Sequence, residues 1–304
     1  MLKKIVPGST IAVIAPAFPP NKSKTKKGIE YLEKKGFKIV KGVSLNGNYG
    51  YLSAQDEQRA REINQFFADK SVDAIFCARG GWGTLRILDK LDYKIIAKNP
   101  KLLLGYSDIT SLQLAIWQKC QVPSISGPMV AVEMGTGILD FTAKHFWDQL
   151  ENSGKNYKID LSSLTGIEYL KEGRCTGKLL GGCLSLIAHQ LGTPYIPDFS
   201  NAILFIEDVG EKPYKIDRYL AQLRQAGVFE KISGLIAGEF IDCEDENGSF
   251  TVKEIIEQYI NDRNFPVIYN FPYGHQAKKI AMPVGVSAVL DSTKKYLTIQ
   301  NPFY

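Results

Sequence analysis

Short apolar runs rich in β-branched residues alternate with helical patterns along the first half of the chain, and this alternation limits the possible folds most strongly. The first unit consists of TIAVIAP, a helical pattern that reaches about Lys35 and is stopped by Gly36, and FKIVKGV. DAIFCA, LLLGYS and VPSISG follow as further strands. Apolar strands that alternate with helices form parallel sheets covered on both faces. The pattern therefore predicts an α/β fold with a doubly wound, mostly parallel sheet.

One helix and one strand of this half have features that bear on a site. The segment SAQDEQRAREINQFFAD predicts a helix, and Ser53 and Asp56 have the spacing of a capping box. The run LLLGYS is apolar along its whole length, so we expect it near the centre of the sheet. Ligands of such sheets bind at the carboxyl ends of the strands. Ser107 lies at one of these ends.

The pattern changes after about residue 150, where polar ENSGKNYKIDLSSLTG separates two halves of the chain. The second half combines the strands AILFIED and GLIAGEF, the amphipathic helix PYKIDRYLAQLRQAG, a helix near residues 252–261, and β-like VIYN, SAVL and YLTI. This mixture predicts a smaller α+β domain. We assign residues 1–150 to an N-terminal α/β domain, 151–170 to a linker and 171–304 to a C-terminal domain.

Composition excludes several classes of function. With 44% apolar and 23% charged residues, the chain is typical of a globular protein. The net charge of +5 is modest, so we expect no nucleic-acid partner. Pro7 and Gly8 interrupt the apolar start and no apolar run could span a bilayer, so we expect neither a signal peptide nor a membrane segment. Five cysteines without a CxxC pair favour reduced thiols in a cytoplasm.

The stretch LLLGYSDIT at residues 102–110 allows two interpretations. Ser107 and Asp108 are residue types favoured where a helix begins, and capping is the commoner role of such a pair. Alternatively, a serine on a tight strand-to-helix turn is an exposed nucleophile, and backbone amides behind it stabilise an oxyanion. The glycines of CARGGWGT would allow the close backbone approach that an oxyanion hole needs. No GxGxxG, GxxxxGK[ST], HExxH or His/Cys cluster occurs, so we expect no phosphate cradle, metal site or cofactor.

A serine nucleophile needs a base, and the chain contains three histidines. His145 falls on a helical pattern as a surface or boundary residue, whereas His189 follows apolar residues as a packed core residue. His275 lies in a loop after VIYN, where functional residues gather, although a loop histidine without a task is equally compatible with the sequence. Glu207, followed by Asp208, ends the strand AILFIE and is the candidate for orienting His275, although such a carboxylate more commonly meets solvent.

Six motifs stand out along the chain: RGGWG at 79–83, GYSDIT at 105–110, GPM at 127–129, GKLLGGCLSLI at 177–187, ED at 207–208 and GH at 274–275. Together they resemble the LD-carboxypeptidases, serine peptidases that include murein tetrapeptide carboxypeptidase and microcin-immunity peptidases. The resemblance covers almost the whole chain in the family's order. It implies that Ser107 is the nucleophile, His275 the base and Glu207 its orienting acid. It also implies that the backbone amides of Gly81 and Asp108 form the oxyanion hole.

The resemblance further implies a site between the two domains, the C-terminal domain supplying acid and base, and a homodimer. The implied reaction is hydrolysis of an L,D-peptide bond, releasing terminal D-alanine from a murein tetrapeptide during cell-wall recycling. Two departures stand out in this sequence. Cys183 replaces the asparagine that relatives usually carry in GGN, which puts in doubt any polar contact made there, and GYSDI differs from the GxSxG of ordinary α/β-hydrolases.

Cleavage at a chain end requires recognition of a free carboxylate. Arg79, Arg86 and Arg218 are candidates for this contact, although surface ion pairing is the commoner role of each. Trp82 is a further candidate for contact with the substrate. Two alternatives stay open: a related peptidase that cleaves a peptide-nucleotide antibiotic, and a non-catalytic sugar- or peptide-binding protein in which Ser107 is only a cap.

Overall fold

The computed structural model describes residues 2–151, 156–245 and 250–303, which form two sheets with surrounding helices. The strands of these residues are β1 (Thr10–Ile14), β2 (Lys38–Lys41), β3 (Ala74–Cys77), β4 (Leu102–Leu104), β5 (Ser124–Ser126), β6 (Tyr157–Asp160), β7 (Glu168–Lys171), β8 (Arg174–Cys183), β9 (Ala202–Val209), β10 (Gly234–Ile241), β11 (Val267–Tyr269), β12 (Met282–Val284), β13 (Ser287–Asp291) and β14 (Tyr296–Ile299). The α-helices are α1 (Lys22–Lys34), α2 (Asp56–Ala68), α3 (Tyr93–Lys98), α4 (Thr110–Cys120), α5 (Glu133–Thr136), α6 (Asp140–Glu151), α7 (Leu184–Gln190), α8 (Pro213–Gln225), α9 (Val228–Lys231) and α10 (Val252–Ile260).

The first sheet has the order β12-β5-β4-β3-β1-β2 and confirms the expected doubly wound topology. All neighbours pair in parallel except β12, which runs antiparallel to β5. The strand order reverses between β1 and β3, so the loops that follow these two strands meet at a topological switch point. The central strand β4 is buried and leads directly to Ser107, as the sequence predicts.

The edge strand β12 was not predicted, and it comes from the second half of the chain. Its sequence is the short MPV, which has too few residues to show an alternating pattern. Pro283 has no amide hydrogen to donate to a ladder, and proline is confined to positions such as an edge strand. The first sheet is therefore completed by residues that lie just beyond His275.

The second sheet has the order β6-β14-β13-β8-β9-β10-β11-β7. Strands β8 to β11 pair in parallel, whereas β7, β13, β14 and β6 are joined by antiparallel pairs, which gives the expected mixture of helices and strands. Residues 151–170, expected to be a linker, include β6 and most of β7 of this sheet. Strand β8 was also unpredicted, because the glycines of GKLLGGC have low strand propensity.

The helices begin and end largely as their sequences predict, with one correction. In α10, Thr251 and Glu254 form a complete capping box. The prediction of a capping box at Ser53 and Asp56 is wrong, since Gln55 is the N-cap of α2 and makes no side-chain cap hydrogen bond. The buried Ser53 hydroxyl instead donates to the carbonyl oxygen of Ala15 at the end of β1.

Two apolar cores share helix α4, which follows the Ser107 turn. Leu112 and Ile116 pack in the core of the first sheet, whereas Leu114 and Trp117 pack in the core of the second. A helix that is buried on several sides cannot shift without disturbing both cores. The start of α4 is therefore a rigid support for a functional group.

Two further features concern the cysteines and the helices. All five cysteines carry free thiols, and Cys77, Cys183 and Cys243 are buried. In the part of the chain that the structure describes, no helix combines the length and apolar character needed to cross a membrane.

Candidate active site

The turn after β4 holds Ser107 in a strained backbone conformation. Ser107 has φ +64°, in the left-handed region that side-chain-bearing residues seldom adopt, and it begins a short 3-10 helix over Ser107–Ile109. Such strain persists only where the surroundings enforce it, and it is typical of functional sites. Gly80 lies against this turn: a Cβ built there would be 2.9 Å from Ser107 Cβ. Only glycine allows the loop after β3 to approach so closely.

Ser107, His275 and Glu207 form a hydrogen-bonded row. The Ser107 hydroxyl oxygen lies 3.0 Å from Nε2 of His275, and Nδ1 of the same ring lies 2.7 Å from Oε2 of Glu207. The three residues come from the ends of β4 and β9 and from the loop after β11. The interpretation of Ser107 as a helix cap is wrong, because neither the 3-10 turn nor α4 has a side-chain cap hydrogen bond.

The Glu207 carboxylate is fully buried, against the commoner expectation that a strand-tip acid meets solvent. Gly274, which precedes His275, makes this placement possible, because a Cβ there would lie 2.7 Å from Oε2 of Glu207. Gly274 also has φ +128°, which strongly favours glycine. The buried carboxylate fixes the orientation of the His275 imidazole through this contact, and the His275 side chain is 18% exposed.

The neighbouring Asp208 is directed to other partners. Its carboxylate accepts hydrogen bonds from the amides of Ser185 and Val209, at 2.7 and 3.0 Å, and from the thiol of Cys183 at 3.4 Å. Burial, reinforced by the charge of Glu207, raises the pKa of Asp208 to about 6. Successive residues of a strand point to opposite faces, so β9 directs only one of the two carboxylates at His275. Cys183 thus supplies a weak donor to Asp208.

The loop after β3 is fixed to the turn that contains Ser107 by Asp108 and Thr84. Oδ2 of Asp108 accepts the Thr84 amide at 2.9 Å, and the Asp108 carbonyl accepts the Thr84 hydroxyl at 2.6 Å. Burial raises the pKa of Asp108. Gly81 lies two residues further along from Arg79 and packs on Phe18, and its amide has no hydrogen-bond acceptor among the described residues. Its amide therefore remains available to a ligand.

The four substrate-binding candidates are placed differently. Arg86 binds both carboxylate oxygens of Asp56 at the surface, as its commoner role predicts. Exposed Arg218 lies 5.6 Å from the centroid of the Tyr214 ring on α8. Half-buried Arg79 lies 5.5 Å from the Phe18 ring centroid and has no carboxylate partner among the described residues. Trp82 is 38% exposed in the same loop as Arg79.

The other two histidines lie outside the hydrogen-bonded row. His145 is half-buried at the boundary, as expected, and its Nδ1 lies 2.5 Å from the Tyr157 hydroxyl. Burial lowers the pKa of His145. The expectation that His189 is packed in the core is wrong, because α7 buries Leu184 and Ile187 and leaves His189 exposed. The apolar residues before His189 therefore belong to the inner face of an amphipathic helix.

Sequence reasoning missed three buried polar residues beside the row: Tyr106, Glu133 and Lys279. The Tyr106 ring centroid is 5.1 Å from that of His275. The Tyr106 hydroxyl and the Lys279 ammonium both donate to Oε1 of Glu133. Lys279 follows polar GHQAK, so its sequence context is that of a surface lysine, and only Tyr106, adjacent to Ser107, carried a positional signal.

Fold and geometry together define a class: an α/β protein in which serine, histidine and glutamate form a hydrogen-bonded row at the ends of the strands. The chain belongs to the LD-carboxypeptidase family, since residues 11–127 match its N-terminal domain and residues 176–290 match its C-terminal domain.

Three relatives illustrate the similarity. The probable murein peptide carboxypeptidase of Bacillus subtilis is 36% identical over 301 residues, covering 98% of this chain and 93% of that protein. The crystal structure of muramoyltetrapeptide carboxypeptidase from Oxalobacter formigenes matches with a TM-score of 0.85 and 30% identity, covering 96% of this chain and 98% of that one. The microcin C7 self-immunity protein MccF of Escherichia coli is 27% identical over 316 residues, covering 95% of this chain and 91% of that protein.

Proposed function

We propose that the protein is a serine carboxypeptidase that hydrolyses an L,D-peptide bond and releases terminal D-alanine from a murein tetrapeptide during cell-wall recycling. The observation that carries the proposal is the row Ser107, His275 and Glu207, with distances of 3.0 and 2.7 Å. Relatives named as murein peptide and murein tetrapeptide carboxypeptidases support the substrate class. In this proposal residues 1–150 supply the nucleophile, and residues 171–304 supply the acid and base.

The proposed mechanism begins with His275 protonated at Nδ1, where it donates to Glu207, so that Nε2 accepts the proton of Ser107. The Ser107 oxygen attacks the carbonyl carbon of the scissile bond, and the amides of Gly81 and Asp108 donate to the resulting oxyanion. His275 then gives its proton to the nitrogen of the departing D-amino acid. Water, deprotonated by His275, hydrolyses the acyl-enzyme and restores Ser107.

Arg79 is the arginine best placed to bind the terminal carboxylate of the peptide. It immediately precedes Gly80, which touches the Ser107 turn, and no carboxylate among the described residues neutralises its guanidinium. The Phe18 ring supports the guanidinium from one side, at 5.5 Å. A planar fork of donors held in this way suits a carboxylate. Exposed Trp82 could cover the side chain of the bound peptide.

An Arg79→Met variant should bind the tetrapeptide more weakly but keep a competent nucleophile. A charge-assisted hydrogen bond contributes about 1.5–3 kcal/mol, so we expect KM to rise roughly 10- to 100-fold. Labelling of Ser107 by an uncharged fluorophosphonate should proceed at the wild-type rate. Arg86→Met is the matched control, because Arg86 is already paired with Asp56. An unchanged KM in Arg79→Met would move the carboxylate site elsewhere.

Configuration at the terminal residue should decide which peptides are cut. A D residue exchanges the positions of side chain and carboxylate relative to an L residue, so one pocket cannot hold both in the same attack geometry. We expect release of D-alanine from a tetrapeptide with an L-centre-to-D-Ala bond, and little cleavage of the matching L-Ala peptide or a D,D-linked pentapeptide. Mass spectrometry of the three peptides at equal concentration tests this. Comparable cleavage of all three would reject the specificity and leave the serine mechanism standing.

The second candidate is a peptidase that cleaves a peptide-nucleotide antibiotic, which the similarity to MccF favours. The exposed aromatic residues Tyr49, Tyr51 and Trp82 are residue types on which a nucleobase can stack. Parallel assays with the murein tetrapeptide and an aminoacyl-nucleotide separate the two candidates. We further propose a cytoplasmic homodimer: the free thiols fit a reducing compartment, and the dimer follows from the family resemblance alone.

A further inference from the structure

A buried cluster of Lys279, Glu133 and Tyr106 joins the nucleophile turn to the loop that carries His275. The Lys279 ammonium nitrogen lies 2.5 Å from Oε1 of Glu133, and the Tyr106 hydroxyl donates to the same oxygen at 2.8 Å. Their exposed fractions are 2%, 7% and 4%, respectively. We propose that this cluster sets the distance between Ser107 and His275, with Lys279 as a positioning residue. The inference rests on the proposed serine mechanism.

Tyr106 connects the cluster to both reacting side chains. It immediately precedes Ser107, and its extended backbone leads into the strained turn. Its ring meets the His275 imidazole with an interplanar angle of 71°. The Lys279 ammonium lies 3.9 Å from the centroid of the Tyr106 ring, which adds a cation–π contact. Displacement of Tyr106 would therefore move Ser107 and its neighbour His275 relative to each other.

Glu133, at the start of α5, binds Tyr106 and Lys279 from a third segment of the chain. Its second oxygen, Oε2, accepts the amide of Met129 at 2.9 Å, so one carboxylate binds donors from the segment after β5, the nucleophile turn and the histidine loop. A positive φ at Ser107 requires enforcement by surrounding structure, and the anchored Tyr106 hydroxyl supplies part of it.

The buried ion pair of Lys279 and Glu133 is not explained by a contribution to stability alone. Removing two charges from water is costly, and replacing a buried pair with uncharged residues of similar size is often neutral or stabilising. The backbone of the histidine loop also has its own support: Thr142 of α6 accepts the Lys279 amide and donates to the Ala277 carbonyl. The loop should therefore remain folded when both charges are removed together.

The decisive variant is the double substitution Lys279→Met with Glu133→Gln, which leaves no unpaired buried charge. The expected result is a folded protein with a kcat and a fluorophosphonate labelling rate of Ser107 both roughly 10- to 100-fold below wild type, and an unchanged KM. Tyr106→Phe, which retains the ring and loses the hydroxyl, should lower the same two rates in the same direction. A purely structural role would change thermal stability without this kcat and labelling signature.

Lys101→Met is the matched control. Lys101 is also a buried lysine, 8% exposed. It lies just before β4, at the opposite end of the strand from Ser107, and its ammonium donates to the carbonyls of Phe66 and Asp69. This variant should lose stability and keep its labelling rate per folded molecule. The proposal would be overturned if the folded double variant Lys279→Met/Glu133→Gln kept the wild-type kcat and labelling rate. If the double variant does not fold, the same result in Tyr106→Phe would overturn it. Absence of Ser107 labelling in the wild-type protein would instead refute the serine mechanism.

Discussion

Ser107→Ala and His275→Ala should each reduce turnover of the murein tetrapeptide to background while the protein stays folded. The two side chains act as one unit across a 3.0 Å contact, so each loss should be about 10⁶-fold in kcat, and the double variant should lose no more than either single variant. Circular dichroism and thermal melting establish the folded state, and product release by mass spectrometry gives the rates.

Ser111→Ala provides the matched serine control for this experiment. Ser111 lies on α4, one turn beyond the nucleophile, and its buried hydroxyl has no hydrogen-bond partner among the described residues. Its removal should leave kcat near the wild-type value. Substantial activity in a well-folded Ser107→Ala variant would contradict the serine mechanism and require another nucleophile. Absence of turnover in the wild-type protein would instead favour the non-catalytic peptide-binding interpretation.

Glu207→Gln should keep the fold and lower kcat by about 10³- to 10⁴-fold, because an amide cannot supply the charge that stabilises the His275 imidazolium. An amide at this position can also bond the wrong tautomer of the imidazole. The side chain is fully buried and its Oε2 lies 2.7 Å from Nδ1 of His275, so solvent cannot substitute for the lost charge. Steady-state kinetics should show the change in kcat with little change in KM.

Asp208→Asn is the matched control for Glu207→Gln. Asp208 carries the same type of group one residue along β9, but its partners are the Ser185 and Val209 amides and the Cys183 thiol. We expect this variant to retain most of the wild-type kcat. The opposite pattern, with Asp208→Asn inactive and Glu207→Gln active, would assign the orienting role to Asp208.

Regular elements with strong periodicity were predictable from the sequence. The buried runs TIAVIAP, DAIFCA and AILFIED became β1, β3 and β9, because each is apolar enough to be buried on both faces. Elements that depend on distant partners were not predictable. The three residues of β12 form a strand only because β5 presents an open edge, and the glycines of β8 are accepted because Phe205 and Thr110 pack directly against them.

The sequence by itself determined the type of sheet, the position of Ser107 at the end of a central strand and, through the motif resemblance, the grouping of Ser107, Glu207 and His275. Only the tertiary structure decided that Asp208 is directed to partners other than His275, that Arg86 is paired whereas Arg79 is not among the described residues, and that Lys279 is buried. The physical reason is the sequence separation of the residues that interact. Strand and helix periodicity reflects neighbours a few residues apart, whereas burial, ion pairing and the direction of a side chain at a strand end depend on segments that are distant in the sequence, as in the contacts of Arg86 with Asp56 and of Lys279 with Glu133.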